Sequence, residues 1–414
     1  MATARPFGDW PPILCGPMLR RVMPPTDVCP GGSVCVFVAL SRPARVELTI
    51  HREGGGAGTG NYIDIGSAQA DTLPLGERLH VLAIDAQVRA EEKLRPGRIY
   101  SYDLSLDGVH GLYDLGLLGG DYPLGYEAGR LPSFALPPPP PDLRLVHGSC
   151  RKAGGEGADM LPFLDSLIRR DYLDPLARPH QLLLTGDQIY ADDVPACLLA
   201  TLRETAEPLL GWTPQEKISI DGEDLLAADA RLTPGPARDS YEEWHKLREP
   251  TTPESRLQLA AYRTRLEFIY SQTDFSSDSA DAHLLFLGEF YAQYLMSWSP
   301  ELWPRSASGG NPFDLATTDE TFSTWGVNAP DDDAYRQAQK NYRAHAEVTR
   351  ARALDMAERL PTVRRALANI PTYTIFDDHD VTDDWNLHRS WYESVLDNLA
   401  GRQIVRNALV AYAV

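Results

Sequence analysis

The chain has 414 residues, 43% of them hydrophobic and 23% charged, with a formal net charge of −19. That length exceeds one ordinary core and predicts two to three folding units, and the composition is globular, without a low-complexity tract large enough to imply disorder. The acidic balance argues against a nucleic-acid polymer or an anionic membrane as partner, but leaves a phosphate-ester substrate open, because bound cations can invert the potential inside a site.

At the amino-terminal end Arg20 and Arg21 form a twin-arginine pair. Val22, Met23, Pro24 and Pro25 follow where a secretory signal needs an apolar run. No stretch of about 18 apolar residues is present, so no membrane-spanning helix is expected. Cys15, Cys29, Cys35, Cys150 and Cys197 are an odd, scattered set without metal-finger spacing. The expectation is a cytoplasmic protein with reduced thiols.

From about residue 30 to 135 the sequence reads as strands. Val46, Leu48 and Ile50 alternate with Glu47, Thr49 and His51, the period-2 pattern of a half-buried strand. Residues 33–40 form a more continuous apolar run, suiting a strand covered on both faces; residues 54–60 are a glycine-rich turn; 81–84 and 99–106 add two strands. Leu94, Pro96, Gly97, Tyr100 and Tyr102 form an L-x-P-G-x-x-Y-x-Y run, similar to the tyrosine-bearing strand of fibronectin-type sandwiches. Residues 137–141 are all proline, a stiff strap that donates no backbone hydrogen bonds. The predicted units are a β-sandwich over 1–136, a linker over 137–142 and an α/β unit over 143–414.

Within that last unit, residues 143–146 are a short strand ending in Gly148-Ser149-Cys150. Met160, Phe163, Leu164, Leu167 and Ile168 have helical spacing, and 181–185 is an apolar strand ending in Gly186-Asp187. Strand, helix, strand reads as a parallel βαβ unit. Residues from about 200 to 345 are mixed and helix-leaning, a long insertion able to close over a site, with an aromatic segment at 290–298. A helix over about 340–368 precedes a strand at 373–376.

Three apolar strands thus end in metal-ligand residue types, and in open α/β sheets such strand ends line one crevice. In the first segment, Cys150 beside Arg151 and Lys152 would have its thiolate favoured, although read alone it fits an inert core cysteine better. In the second, Asp187 offers a carboxylate and Tyr190 can return to the same pocket, with a solvated acidic loop as the equal alternative. The third, Asp377-Asp378-His379-Asp380 directly after a strand, points more firmly to metal, because adjacent buried carboxylates are costly without compensation.

Taken together, S-C-R-K, G-D-Q-I-Y-A-D and I-F-D-D-H-D-V-T-D-D-W resemble, in order, the motifs of the PhoD-like (alkaline phosphatase D) metallophosphoesterases, over nearly the whole chain. The resemblance implies an all-β sandwich domain followed by an α/β domain of α/β/β/α metallophosphatase type. It implies a multinuclear site of Fe(3+) and Ca(2+), with zinc or manganese as alternatives. Cys150 and Tyr190 would be iron ligands, Asp187 the carboxylate shared between metals, and Asp378 a ligand of the second metal. His379 would be the catalytic group beside the phosphoryl centre, and Arg151 a phosphate clamp or else one half of an ion pair. The reaction implied is hydrolysis of a small phosphate mono- or diester, by in-line attack of water activated at the metals.

The superfamily completes its site with a later histidine motif, and this chain has no histidine after His388. The expectation is therefore an amino-terminal portion of a longer protein, lacking a second sheet, inclined to self-associate and impaired in activity. A non-catalytic scaffold built on an incomplete metal cluster is the alternative. A serine hydrolase using Ser149 fits poorly, since no G-x-S-x-G elbow surrounds it.

Overall fold

The computed structural model describes residues 10–212, 215–220, 223–227, 234, 264–277, 279–306, 311–322, 333–385 and 387–414. The first eight strands are β1 (Ile13–Met23), β2 (Ser33–Leu40), β3 (Arg45–Glu53), β4 (Tyr62–Asp71), β5 (Leu73–Gly76), β6 (Leu79–Gln87), β7 (Ile99–Leu106) and β8 (Ser133–Ala135). They form two four-stranded antiparallel sheets, ordered β1-β2-β6-β5 and β4-β3-β7-β8. Alternation along each strand decides which side chains meet between the sheets. Val34, Val36, Val38 and Leu40 of β2 pack with Val46, Leu48 and Ile50 of β3 in one buried cluster.

The odd-numbered side chains of β2 point the other way. Phe37 and Ala39 pack into the core of the second unit, so β2 is covered on both faces. Of the two tyrosines of β7, Tyr100 ties it to the nearby loop and Tyr102 ties it to the second unit. The Tyr100 hydroxyl accepts from the Arg95 backbone N–H at 2.9 Å, and the Tyr102 hydroxyl donates to the Ala368 carbonyl at 2.8 Å.

Residues 137–142 lead from β8 to the α/β unit. There β9 (Leu145–Gly148), α1 (Leu161–Asp171) and β10 (Gln181–Thr185) form the expected strand–helix–strand. After these come α2 (Ala196–Leu210), the hairpin β11 (Lys217–Ile220) and β12 (Glu223–Leu226), α3 (Arg265–Gln272), α4 (Leu287–Trp298) and α5 (Thr318–Thr321). The 37-residue helix α6 (Asp333–Asn369) leads to β13 (Thr372–Ile375), a 3-10 turn at Asp378–Asp380, α7 (Arg389–Asp397) and α8 (Leu399–Tyr412). The strands β13, β10 and β9 make one parallel sheet in that order. A second β layer of the expected α/β/β/α type is not present among the described residues.

One expectation needs correction. Met160 and Phe163 share the apolar helical spacing of Leu164, Leu167 and Ile168, but they are 69% and 58% exposed. The buried stripe is Leu164, Asp165 and Ile168, because Asp165 forms a buried bidentate pair with Arg365 of α6 (2.9 and 2.6 Å). The aromatic segment at 290–298 belongs to α4; Phe290 lies in the core, while Tyr294 and Trp298 reach the loops after β13 and β9. Much of the remaining insertion lies outside the described residues.

The two units are joined by specific bonds as well as by apolar contact. Arg364 Nε of α6 donates to the Gly16 carbonyl of β1 at 2.8 Å, and Arg178 Nη2 donates to the carbonyls of Ser133 and Asn369 at 2.8 and 2.6 Å. Among the described residues no helix is long and apolar enough to cross a membrane.

Candidate metal centre

The register of the parallel sheet brings Gly148, Leu184 and Thr374 level, so the loops after β9, β10 and β13 leave from one edge. Backbone bonds then lace the loops together. The N–H of Cys150 donates to the Gly186 carbonyl at 3.1 Å and that of Arg151 to the Asp187 carbonyl at 3.0 Å. The Ala191 N–H donates to the His379 carbonyl at 2.8 Å. Gly186 permits the close approach of the second and third loops: a Cβ there would lie 2.8 Å from Asp377 Cβ.

Cys150, Asp187, Tyr190, Asp378 and His379 therefore converge. Asp187, Asp378 and His379 each offer a ligand atom within 4.8 Å of the others. The Tyr190 hydroxyl donates to Asp187 Oδ2 at 3.3 Å, and Cys150 lies close enough to influence the titration of both Asp187 and Tyr190. The Tyr190 and His379 rings stack with centroids 4.3 Å apart. Cys150 and Asp187 both hold left-handed backbone, at φ 59° and 47°. That conformation is uncommon outside glycine and tends to persist at functional positions.

The electrostatics are those of crowded acids. Burial raises the Asp187 carboxyl above its ordinary range, against the lowering effect of the Cys150 thiol and the His379 ring. Burial and the adjacent Asp187 carboxylate push the Tyr190 phenol well up. Asp187 Oδ1 is buried with no hydrogen-bond partner. These residues fit a metal ion: a cation would satisfy the orphaned oxygen and reverse the repulsion that keeps the Tyr190 phenol protonated.

Arg151 stands apart from this group. Its guanidinium bonds Asp159 Oδ2 through Nε and Nη2 (3.2 and 2.8 Å), donates to the Ser297 carbonyl, and lies 4.8 Å from the centre of the Trp298 ring. Of the two readings open for Arg151, the ion pair is the one this geometry contains; the acid eight residues on holds it. Lys152 is the neighbouring cation beside the site, paired with Asp193 and 5.4 Å from the centre of the Tyr190 ring.

Sequence reasoning missed the partners that orient the centre. Asp192, fully buried, lies with its oxygens 2.9 and 3.0 Å from His379 Nδ1, so that nitrogen carries the proton. Burial opposes charging this imidazole, but the Asp192 carboxylate outweighs it and pushes the histidine up to about 9. Asp192 also accepts from Ser277 Oγ at 2.8 Å and the Asp383 N–H at 3.1 Å. Asp380 accepts from the Ile189 N–H at 3.1 Å, the Tyr294 hydroxyl at 3.0 Å and the Asp377 N–H at 3.0 Å. Asp192 was visible inside G-D-Q-I-Y-A-D, but nothing local marks it as a partner of His379; Ser277 carries no signal, and Tyr294 only its place in the aromatic segment at 290–298.

No family model matches the chain, and no curated protein matches it. A solved structure of PhoD resembles it with a TM-score of 0.39 at 11% identity, over 99% of this chain and 47% of the other. The chain thus spans about half the length of that structure.

Proposed function

We propose that the chain is a metal-dependent hydrolase of small phosphate esters. The observation that carries this reading is the convergence of five donors from three strand ends around an orphaned buried oxygen, Asp187 Oδ1. Cys150, Asp187, Tyr190 and Asp378 would hold the metals. Thiolate and phenolate suit ferric iron, and the carboxylates suit calcium, with zinc or manganese as alternatives. Bound metal would supply charge neutralisation at the phosphoryl oxygens and an acidified water.

The chain's own residues do the rest. Asp192 fixes the His379 ring through Nδ1 and leaves Nε2, 4.0 Å from Asp383, to carry a proton for the departing alkoxide oxygen. Arg151 acts as a positioning residue: its bonds to Asp159 and Ser297 hold the loop that bears Cys150. The site's acidic surroundings favour a small ester bound through metal over a nucleic-acid polymer or a membrane.

The test is metal analysis of purified protein, followed by hydrolysis of p-nitrophenyl phosphate and its bis ester with iron and calcium supplied. Bound metal near one or more ions per chain and turnover abolished by Asp187→Asn are expected. A chain that binds no metal and hydrolyses neither ester would overturn the proposal.

A further inference from the structure

The adjacent arginines of β1 have different surroundings. Arg21 is exposed and pairs with Asp85 (3.1 Å) on β6. Arg20 falls at the irregularity between Leu19 and Arg21 and lines a cavity of about 440 Å³ between the β1-β2-β6-β5 sheet and the α/β unit. The walls include Met18, Phe37, Leu79, Leu184, Leu295 and Trp298, with Val414 at the rim, and Arg20 is the only charged side chain among the lining residues. Its Nη2 donates to Thr374 Oγ1 at 3.1 Å, and it forms no ion pair with any carboxylate among the described residues.

A guanidinium remains charged under all ordinary conditions, and removing it from water without an anion is unfavourable. Burial lowers the Arg20 pKa, with only tyrosines and cysteines nearby to oppose that. The cavity has the size of small-molecule sites, which are mostly apolar with one or two polar groups that fix orientation. A carboxylate matches the two-pronged donor geometry of arginine.

We propose that this cavity binds an apolar monocarboxylate, with the hydrocarbon chain against Phe37, Leu295 and Trp298 and the carboxylate on Arg20 and Thr374. The experiment is calorimetric titration of the full chain with octanoate, decanoate and dodecanoate below their micellar concentrations, and with decanol. Saturable 1:1 binding is expected, strengthening about fourfold per added methylene, with decanol at least tenfold weaker than decanoate. Arg20→Gln should remove the advantage of decanoate over decanol, and Arg20→Lys should keep part of it, with melting temperature reporting that each variant is folded. Absence of saturable binding, affinity independent of chain length, or decanoate binding unchanged in Arg20→Gln would overturn the proposal. So would a dimer in sedimentation that decanoate neither binds nor dissociates, since a second copy would then fill the cavity. Should Arg20→Gln fail to fold, the decanoate-to-decanol ratio on the unaltered chain decides alone.

Discussion

Cys150 offers a direct test of whether the fold imposes strain on a candidate ligand. At φ 59° its backbone is left-handed, which costs an L-residue roughly 1–2 kcal/mol. Glycine avoids that cost but loses about 0.5–1 kcal/mol more in conformational entropy on folding. The residue is exposed, so truncating its side chain removes little packing. Cys150→Ala removes the thiol and keeps the strained Cβ; Cys150→Gly removes both. In chelator-treated protein, Cys150→Gly should therefore be more stable than Cys150→Ala by about 1 kcal/mol. Urea unfolding of the two variants side by side measures this, and metal analysis should show the same loss of bound metal in both. Equal stability, or a more stable alanine variant, would show that the left-handed backbone is a consequence of the cysteine and not a demand of the loops around it.

Asp192→Asn should lower kcat for the bis ester about a hundredfold or more with little change in KM, because the His379 ring loses the charged carboxylate that fixes its tautomer and an amide N–H₂ can take its place. Tyr190→Phe should remove or shift the visible charge-transfer band expected of tyrosinate on ferric iron while leaving the far-ultraviolet circular dichroism unchanged; aerobically prepared protein holding only zinc would sink the iron assignment. Asp165→Ala strands Arg365 in the core and should destabilise the fold by about 3–5 kcal/mol in urea unfolding. His283 is fully buried, and burial pulls it down to about 4, so the folded chain binds fewer protons there than the unfolded chain, whose histidine titrates near 6.5. Its contribution is complete above about 6.5 and is lost as pH falls towards 4, so the stability of the unaltered chain relative to His283→Gln should drop by about 3 kcal/mol over that window.

The elements legible in the sequence are those whose signal is local. Ser33–Leu40 and Gln181–Thr185 are apolar runs closed by turn residues, and both strands form with those bounds. The strand β1 was not legible, because its pairing with β2 is interrupted at three places between Ile13 and Arg21, and each interruption resets the alternation that a period-2 reading depends on. The strand β4 was hidden by Gly66 and its small neighbours. Gly66 is there because a Cβ would meet the Gln87 carbonyl at 2.3 Å, a contact made by a strand of the facing sheet and invisible along the chain. Met160 and Phe163 were misassigned for the complementary reason. A buried carboxylate such as Asp165 shifts the buried stripe of α1, and only its partner Arg365, 200 residues away, makes that burial tolerable.

The same division runs through the candidate centre. Its donors were legible because metal-ligand types at strand ends are a local pattern, whereas the bonds that aim them are long-range. The backbone bonds among them do not consume the donors: Cys150, Arg151, Ile189 and Ala191 contribute backbone N–H groups, and the acceptors are carbonyls or the carboxylate of Asp380. The loops can therefore take up their arrangement before metal arrives, and the energetic fault left behind is confined to the side chains, in the unpartnered Asp187 Oδ1 and the neighbouring carboxylates of Asp377 and Asp378. A cation would relieve that fault without rebuilding the frame. It follows that metal should stabilise the folded chain by mass action, while its removal should leave the three-stranded sheet and its loops in place.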